Sequence, residues 1–394
     1  MSIVRMTLYG VRLPQRREHR WRTLTEGVGS YVLVELTDGD GMSGWGEATA
    51  LGSWGGDHGQ HDGETPEDVV HVLADLVAPA VLGLPLRHRH RVLSAAQGVV
   101  RGHPYAQTAF ECAVLDLTAR RAGLPVHELL GGRRRDRVPI AHSIGLMDDD
   151  AALTEAEQVV AEGVTTLKVK VGEDPDRDVR LLRALHDRLG DRAALAVDAN
   201  QGWGTALQAE RVLRRLLDVP LRYVEQPVEG LRQLEHLAGR VPHPVMADES
   251  MWNAFEMAEL GRGGAVRLAS VYTSKAGGLH RALAADAVAH AFGIGTNVNG
   301  SGETGVGNLA NVHLAAAMTS LAEGCVIPVS RRREDAPTQV AGAMYTDDVL
   351  ATSFSYVDGA VLVPDGPGWG IEVDRDRLAE RTVWSRSVTV EDLR

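Results

Sequence analysis

From about Val138 onward the chain alternates between two rhythms of apolar and polar positions. Short β-branched runs recur at Val138–Ile144, Thr165–Val171, Ala193–Asp198, Leu221–Glu225, Pro244–Ala247, Val266–Tyr272, Gly293–Val298 and Gly324–Val329. Between them lie stretches with apolar residues every three or four positions, such as Asp176–Leu189 and Ala206–Leu217. The first rhythm predicts strands and the second predicts amphipathic helices. Eight strands with a helix after each of the first seven imply parallel pairing, because parallel strands need crossover connections. Eight such units predict a (β/α)₈-type barrel.

The residues before the barrel follow another pattern. YVLVELTDGDGMSGWGEAT predicts two strands around a Gly-Asp turn. Pro66–Leu82 and Ala106–Ala122 carry helical spacing, and Gly131–Gly132 ends the helices. The segment 51–65, LGSWGGDHGQHDGET, is too polar and glycine-rich for a core; it suits an active-site lid or a surface loop. The tail VDGAVLVPDGPGWGIEVDRDRL is rich in turns and is expected to return to the first domain. The organisation expected is an N-terminal α+β capping domain over 1–132, a catalytic barrel over 133–365, and a segment 366–394 that packs back on the cap.

Composition narrows the partners. A net charge of −12 argues against nucleic acid. No run of about 18 apolar residues predicts a membrane span, and the N-terminus lacks the apolar core of a signal peptide. Cys112 and Cys325 lie far apart in apolar surroundings, as buried thiols of a reducing cytoplasm would. Of the 41 basic Lys and Arg residues only three are lysines: Lys168, Lys170 and Lys275. Arginine stays charged at any working pH, whereas a desolvated lysine can lose its proton and act as a base.

In such barrels the chemistry sits at the carboxyl ends of the strands. The second predicted strand ends in Lys168-Val169-Lys170, and residues two apart share a face. Repulsion between the two amines, with desolvation, is expected to pull one or both toward neutrality and make a base. The next three strands end in Asp198, Glu225 and Asp248. Any one of these acids could cap a helix. Three at consecutive strand ends fit ligands of Mg²⁺, with Mn²⁺ as a substitute. Glu249 and Asn200 would support them from behind or bind substrate. A proton α to a carboxylate is very weakly acidic. A metal on the carboxylate oxygens stabilises the enediolate charge while an amine takes the proton.

These pieces together resemble the enolase superfamily, in its muconate lactonizing enzyme subgroup. The matching stretches are GWGEAT, AFECAVLDLTARRAGLPVHELLGG, LKVKVG, VDANQGW, VEQPV, MADES, KAGGL and PDGPGWGIEV, nearly end to end. The resemblance implies that Asp198, Glu225 and Asp248 bind the metal and that Lys170 abstracts the proton with Lys168 in support. It also implies a cap whose two loops, about 15–30 and 51–65, select a small carboxylate substrate. Trp21, Trp54, Asp57 and His58 are the side chains expected to do so. A homo-oligomer is expected on the same ground.

One departure bears on the reaction. The subgroup usually places a lysine at the end of strand six, five residues before a Gly-Gly pair. Here the pair is Gly277–Gly278, and that position holds Tyr272. Mandelate racemase-type members would place a histidine on strand seven, and GIGTNVNGSGET has none. Lys275 could swing in through a local bulge, Tyr272 could act as acid, or the chemistry could use one face alone. One face suffices for cycloisomerisation or β-elimination, whereas racemisation by Lys170 with Lys275 or Tyr272 needs both. Asn297, Asn299 and Glu303 are further polar candidates for substrate binding. A Schiff-base aldolase would not need the three acids. A metallohydrolase would usually show histidines at strand ends. A homologue kept for binding alone is the remaining alternative.

Overall fold

A computed structural model describes residues 1–24, 28–330 and 339–394. Residues 25–27 of the expected cap loop lie outside the described set. The chain begins with β1 (Ile3–Arg12), β2 (Ser30–Asp38) and β3 (Ser43–Ala48) in an antiparallel sheet. The β2–β3 turn is set by Asp38, whose carboxylate accepts from the backbone N–H groups of Asp40 (3.0 Å) and Met42 (3.1 Å). GWGEAT owes its glycines to packing. Side chains at Gly44 and Gly46 would put a Cβ 2.3 Å from the backbone N of Leu117 and 1.9 Å from the Ala109 carbonyl. β3 therefore lies directly on the helix Pro104–Ala122, which is buried over most of its length.

A short strand β4 (Arg137–Pro139) leads into seven parallel strands: β5 (His142–Ile144), β6 (Thr166–Lys170), β7 (Ala194–Asp198), β8 (Leu221–Glu225), β9 (Val245–Ala247), β10 (Leu268–Val271) and β11 (Gly295–Val298). They are hydrogen-bonded in sequence order, with helices between them as the alternating pattern predicts.

Two of the predicted strands come out differently. Val138–Ile144 is split, because β4 pairs with β13 (Ala360–Leu362), itself paired with β12 (Tyr356–Val357), and only His142–Ile144 joins the parallel sheet. Gly324–Val329 is not a strand. It makes single bridges instead: Cys325 exchanges backbone hydrogen bonds with Pro139 and Ala141, and Val326 N donates to Val298 O. The stretch is too short and too close to Pro328, which has no N–H, to extend a ladder.

Alternation explains how the sheet separates core from site. Leu167, Val169, Leu195, Val197, Val224, Val245, Ala247, Ala269 and Val271 pack outward in the large apolar cluster. The intervening residues point inward: Ala196, Tyr223 and Met246 pack together with Leu268 as an inner layer. Asp198, Glu225 and Asp248 stand two residues further on, one layer nearer the carboxyl ends. The last strand, β14 (Thr382–Thr389), pairs with β1 and completes a four-stranded cap sheet. A second apolar cluster contains the cap strands and helices and reaches Trp252 and Tyr272, which come after β9 and β10. Cys112 and Cys325 are buried and unbridged. Among the described residues no helix is long and apolar enough to cross a membrane.

Candidate active site

Register sets the acids side by side. Lys170 pairs with Asp198 across β6–β7, and Asp198 pairs with Glu225 across β7–β8. Asp248 follows directly after β9. One carboxylate oxygen from each of Asp198, Glu225 and Asp248 lies within 4.8 Å of the other two. All three acids are buried.

The lysines are bound into this cluster. Lys168 Nζ donates to Glu225 Oε1 at 2.6 Å and lies 3.0 Å from Asp198 Oδ2. Lys170 Nζ donates to Asp198 Oδ2 (2.7 Å) and Asn200 Oδ1 (2.9 Å). The Asn200 amide in turn donates to Glu249 Oε1 at 3.0 Å. For Lys168 this runs against the expected fall toward neutrality. Burial disfavours the charge on Lys168, but the facing Asp198 and Glu225 outweigh it and hold Lys168 well above the ordinary ammonium range. Asp198 shows the converse: burial pushes it up, and the two lysines more than offset that, leaving it at about 2.

Glu225 and Glu249 are the under-compensated members. Burial pushes Glu225 up to about 8, against the pull of Lys168. Burial, with the charges of Asp248 and Asp198, pushes Glu249 well up. Among the described residues, Glu225 Oε2 and Glu249 Oε2 are buried with no hydrogen-bond partner. Orphaned carboxylate oxygens beside converging acids are what a divalent cation satisfies, and hard oxygen donors suit Mg²⁺ or Mn²⁺. The residues present therefore fit such an ion.

Beside the acids lies a narrow cleft, and Lys168, Lys170, Asn200 and Tyr272 line it. The two cap loops close over it. Loop 13–24 contributes His19 and Trp21, whose ring centroid is 5.5 Å from Lys170 Nζ. Loop 49–65 contributes Leu51 and Trp54, whose ring lies 5.1 Å from that of Tyr272. The loop expected as either lid or surface thus buries Leu51 and Trp54, the latter against Trp252 and Tyr272.

Other candidates are placed elsewhere. Asp57 is buried but does not line the cleft: Oδ1 accepts from Gln201 Nε2 (3.1 Å) and Gly230 N (2.9 Å), pinning the loop to the segments that follow β7 and β8. His58 is exposed, with Nδ1 3.1 Å from Glu229. Lys275 does not swing into the cleft. Its Nζ is held by Asp248 Oδ1 (2.5 Å), Asp248 O (2.8 Å) and Ser270 O (2.9 Å). Tyr272, on the cleft wall, donates its hydroxyl to Asp248 Oδ2 at 3.0 Å.

Asn297 sits one layer too deep. Its amide turns to Gly324 O at 3.4 Å, while Asn299 reaches Glu225 Oε1 (3.2 Å) and Ser270 Oγ (2.7 Å). Glu303 lies behind the cleft wall. Its Oε1 accepts from Ser301 N (2.9 Å), and a Cβ on Gly300 would lie 1.9 Å from Oε2. Sequence reasoning missed His19, Ser143 and Ser301, which all line the cleft. Nothing local marks them: His19 and Ser301 lie in connections between elements, and Ser143 is a single polar residue within the short strand β5.

Comparison with known proteins agrees with this layout. Residues 6–131 match the family model "Mandelate racemase / muconate lactonizing enzyme, N-terminal domain", and residues 151–377 match "Enolase C-terminal domain-like". The chain is 30% identical to muconate cycloisomerase 1-1 of Acinetobacter lwoffii, over 97% of each chain. It is 26% identical to the N-succinyl-L-Arg/Lys racemase of Bacillus cereus, over 98% of this chain and 99% of the relative. The crystal structure of muconate lactonizing enzyme from Pseudomonas fluorescens complexed with muconolactone superposes with a TM-score of 0.87 at 30% identity, covering 97% of this chain and 99% of that one.

Proposed function

This chain belongs to the mandelate racemase / muconate lactonizing enzyme family of the enolase superfamily, and from that premise we propose that it is a metal-dependent isomerase or lyase moving a proton α to a substrate carboxylate on one face only. The products would be those of cycloisomerisation or β-elimination of a small carboxylic acid. In this reading the sheet, together with the Cys325 segment, closes as an eight-staved barrel around the site.

Asp198, Glu225 and Asp248 would hold Mg²⁺, with Glu249 behind them. Bound there, the ion supplies positive charge where the substrate carboxylate gains electron density. The residues of this chain divide the remaining work. Lys168, held between Asp198 and Glu225, stays an ammonium and contributes fixed charge. Lys170, at the cleft with Asn200 and Trp21 around it, carries the proton to and from the α-carbon. Trp54, Trp21 and Leu51 exclude water above it. As in many family members, assembly as a homo-oligomer is part of this proposal.

The observation that carries the one-face reading is the wall formed by β10. It lies four strands from β6 in the sheet, and there the cleft is lined by Tyr272 and not by an amine. A second reading rests on the same residue, because a Tyr272 hydroxyl on that wall could return a proton and make an epimerase.

The test is incubation with Mg²⁺ in D₂O with N-acyl amino acids, dipeptides, sugar acids and muconate-type lactones. Deuterium uptake without inversion, lowered about 10²–10⁴-fold in Lys170→Ala, is the expected result. Exchange coupled to inversion of configuration would replace the one-face reading with the epimerase.

A further inference from the structure

A second pocket, of about 630 Å³, shares no lining residue with the cleft. That volume falls among small-molecule sites, which run from roughly 300 to 1,000 Å³. Residues 60–62 of loop 49–65 line it together with residues 252–255, which follow β9, and Arg281. It therefore lies where the N-terminal loop meets the parallel-sheet domain. Lys275 lines it as well, and the Nζ of that side chain is the one bound to Asp248.

Two of its side chains are unpartnered. Phe255 is 85% exposed, yet it sits in the first turn of a helix, Ala254–Gly263, whose start is held by a capping box of Asn253 and Glu256. A phenyl ring presented by a rigid turn offers apolar contact at little ordering cost. Arg281 makes no ion pair or hydrogen bond among the described residues. It stands in the first turn of the helix Leu279–Phe292, which carries no acid there, and the helix N-terminus adds positive partial charge of its own. Acids on the neighbouring elements are spent elsewhere: Asp62 on His103 N (3.3 Å), Glu111 on His280 N (2.9 Å) and Glu256 on the His61 ring (2.7 Å). A free guanidinium beside an aromatic face suits a carboxylate carried on a ring.

The same lining reaches the cleft. The His61 ring stacks on Trp252 at 4.3 Å between centroids, and Trp252 packs at 5.3 Å on Trp54, which lines the cleft. A ligand touching both His61 and Phe255 adds contacts between loop 49–65 and the parallel-sheet domain, so its binding favours the docked loop.

We propose that this pocket is a regulatory site for an aromatic monocarboxylate. The carboxylate pairs with Arg281, the ring lies against Phe255, and occupation holds loop 49–65 down over the cleft. No step of the reaction proposed above is needed for it.

The test is calorimetric titration of the full-length protein with benzoate in excess chelator, which keeps any metal at the acids out of the measurement. Benzoate should bind about tenfold or more tighter than acetate, which lacks the ring, and than benzyl alcohol, which lacks the charge. Arg281→Gln and Phe255→Ala, both at exposed positions, should each weaken benzoate by about tenfold. Lys170→Met should leave its affinity unchanged. Hydrogen exchange at residues 51–65 should slow at saturating benzoate. Loss of binding in Lys170→Met would put benzoate in the cleft and overturn the proposal. An affinity that survives both pocket variants, or no binding at all, overturns it too. Binding at Arg281 and Phe255 without slower exchange overturns the regulatory role. A fall in sedimenting mass in either pocket variant, with benzoate affinity unaltered, overturns it in favour of a contact between copies of the chain.

Discussion

Tyr272 and a lysine at the same place differ in what they can do with a proton. A phenol held by burial and by the charges of Asp248 and Glu225 far above its usual range keeps its proton, so it offers no base and gives the proton up reluctantly. Its hydroxyl is also committed to Asp248. Tyr272→Phe should therefore lower Lys170-dependent deuterium exchange by less than about tenfold, read by mass spectrometry. A loss of about 10² or more would make it the acid of the second face. Glu303 offers a separate pH test. Burial raises it to about 7, above the roughly 4.3 of an unfolded chain. Between those values the folded state holds a proton that the unfolded state has lost. This group's contribution to stability thus falls as pH rises through that window, and the cost is complete above it. Glu303→Gln removes the charge, so the variant should gain on the order of 3 kcal/mol relative to wild type at pH 8.5 and little at pH 4.5. Urea denaturation at the two pH values checks this.

At the scale of elements, the site depends on how closely the N-terminal sheet is pressed to its own helix and then to the parallel-sheet domain. Gly46 lets β3 touch the backbone of Pro104–Ala122, where relief by a side-chain rotation is impossible because the obstacle is the Ala109 carbonyl. Gly46→Ala should cost about 1–3 kcal/mol by overpacking, seen as a lower urea midpoint with an unchanged slope. Trp54 and His61 pack on Trp252, at 5.3 Å and 4.3 Å between ring centroids, so a displaced cap also loosens the roof of the cleft. Turnover by Gly46→Ala should fall along with stability.

For the whole molecule, the four carboxylates of Asp198, Glu225, Asp248 and Glu249 gather charge that the three neighbouring lysines, Lys168, Lys170 and Lys275, offset only partly. A chelator should lower the Tm, and Mg²⁺ should restore it by about 2.7 kcal/mol of stability at a hundredfold excess over Kd. Asp248→Asn should abolish the Mg²⁺ effect in differential scanning calorimetry. An equal Mg²⁺ response in that variant would place the ion elsewhere.

Much of this was legible in the chain itself. Period-two alternation put Lys168 and Lys170 on one face, and the spacing of apolar runs put Asp198, Glu225 and Asp248 at successive strand ends. These are local facts, fixed by backbone geometry once a segment is a strand. What the sequence could not determine was depth and direction beyond the strand. Asn297 and Asn299 share a face, and only the packed layer beneath decides that the second reaches Glu225. Asp57 sits on the correct loop yet is spent on Gln201 and Gly230. Lys275 sits within a short helix, Thr273–Ala276, that turns it onto Asp248 and away from the cleft. The charge state of Lys168 was inferred from its like-charged neighbour, whereas the tertiary structure sets two carboxylates nearer. His19 meets Ser143 across 124 positions of chain. Contacts of that kind arise from the docking of one domain on another, and periodicity along a sequence carries no information about them.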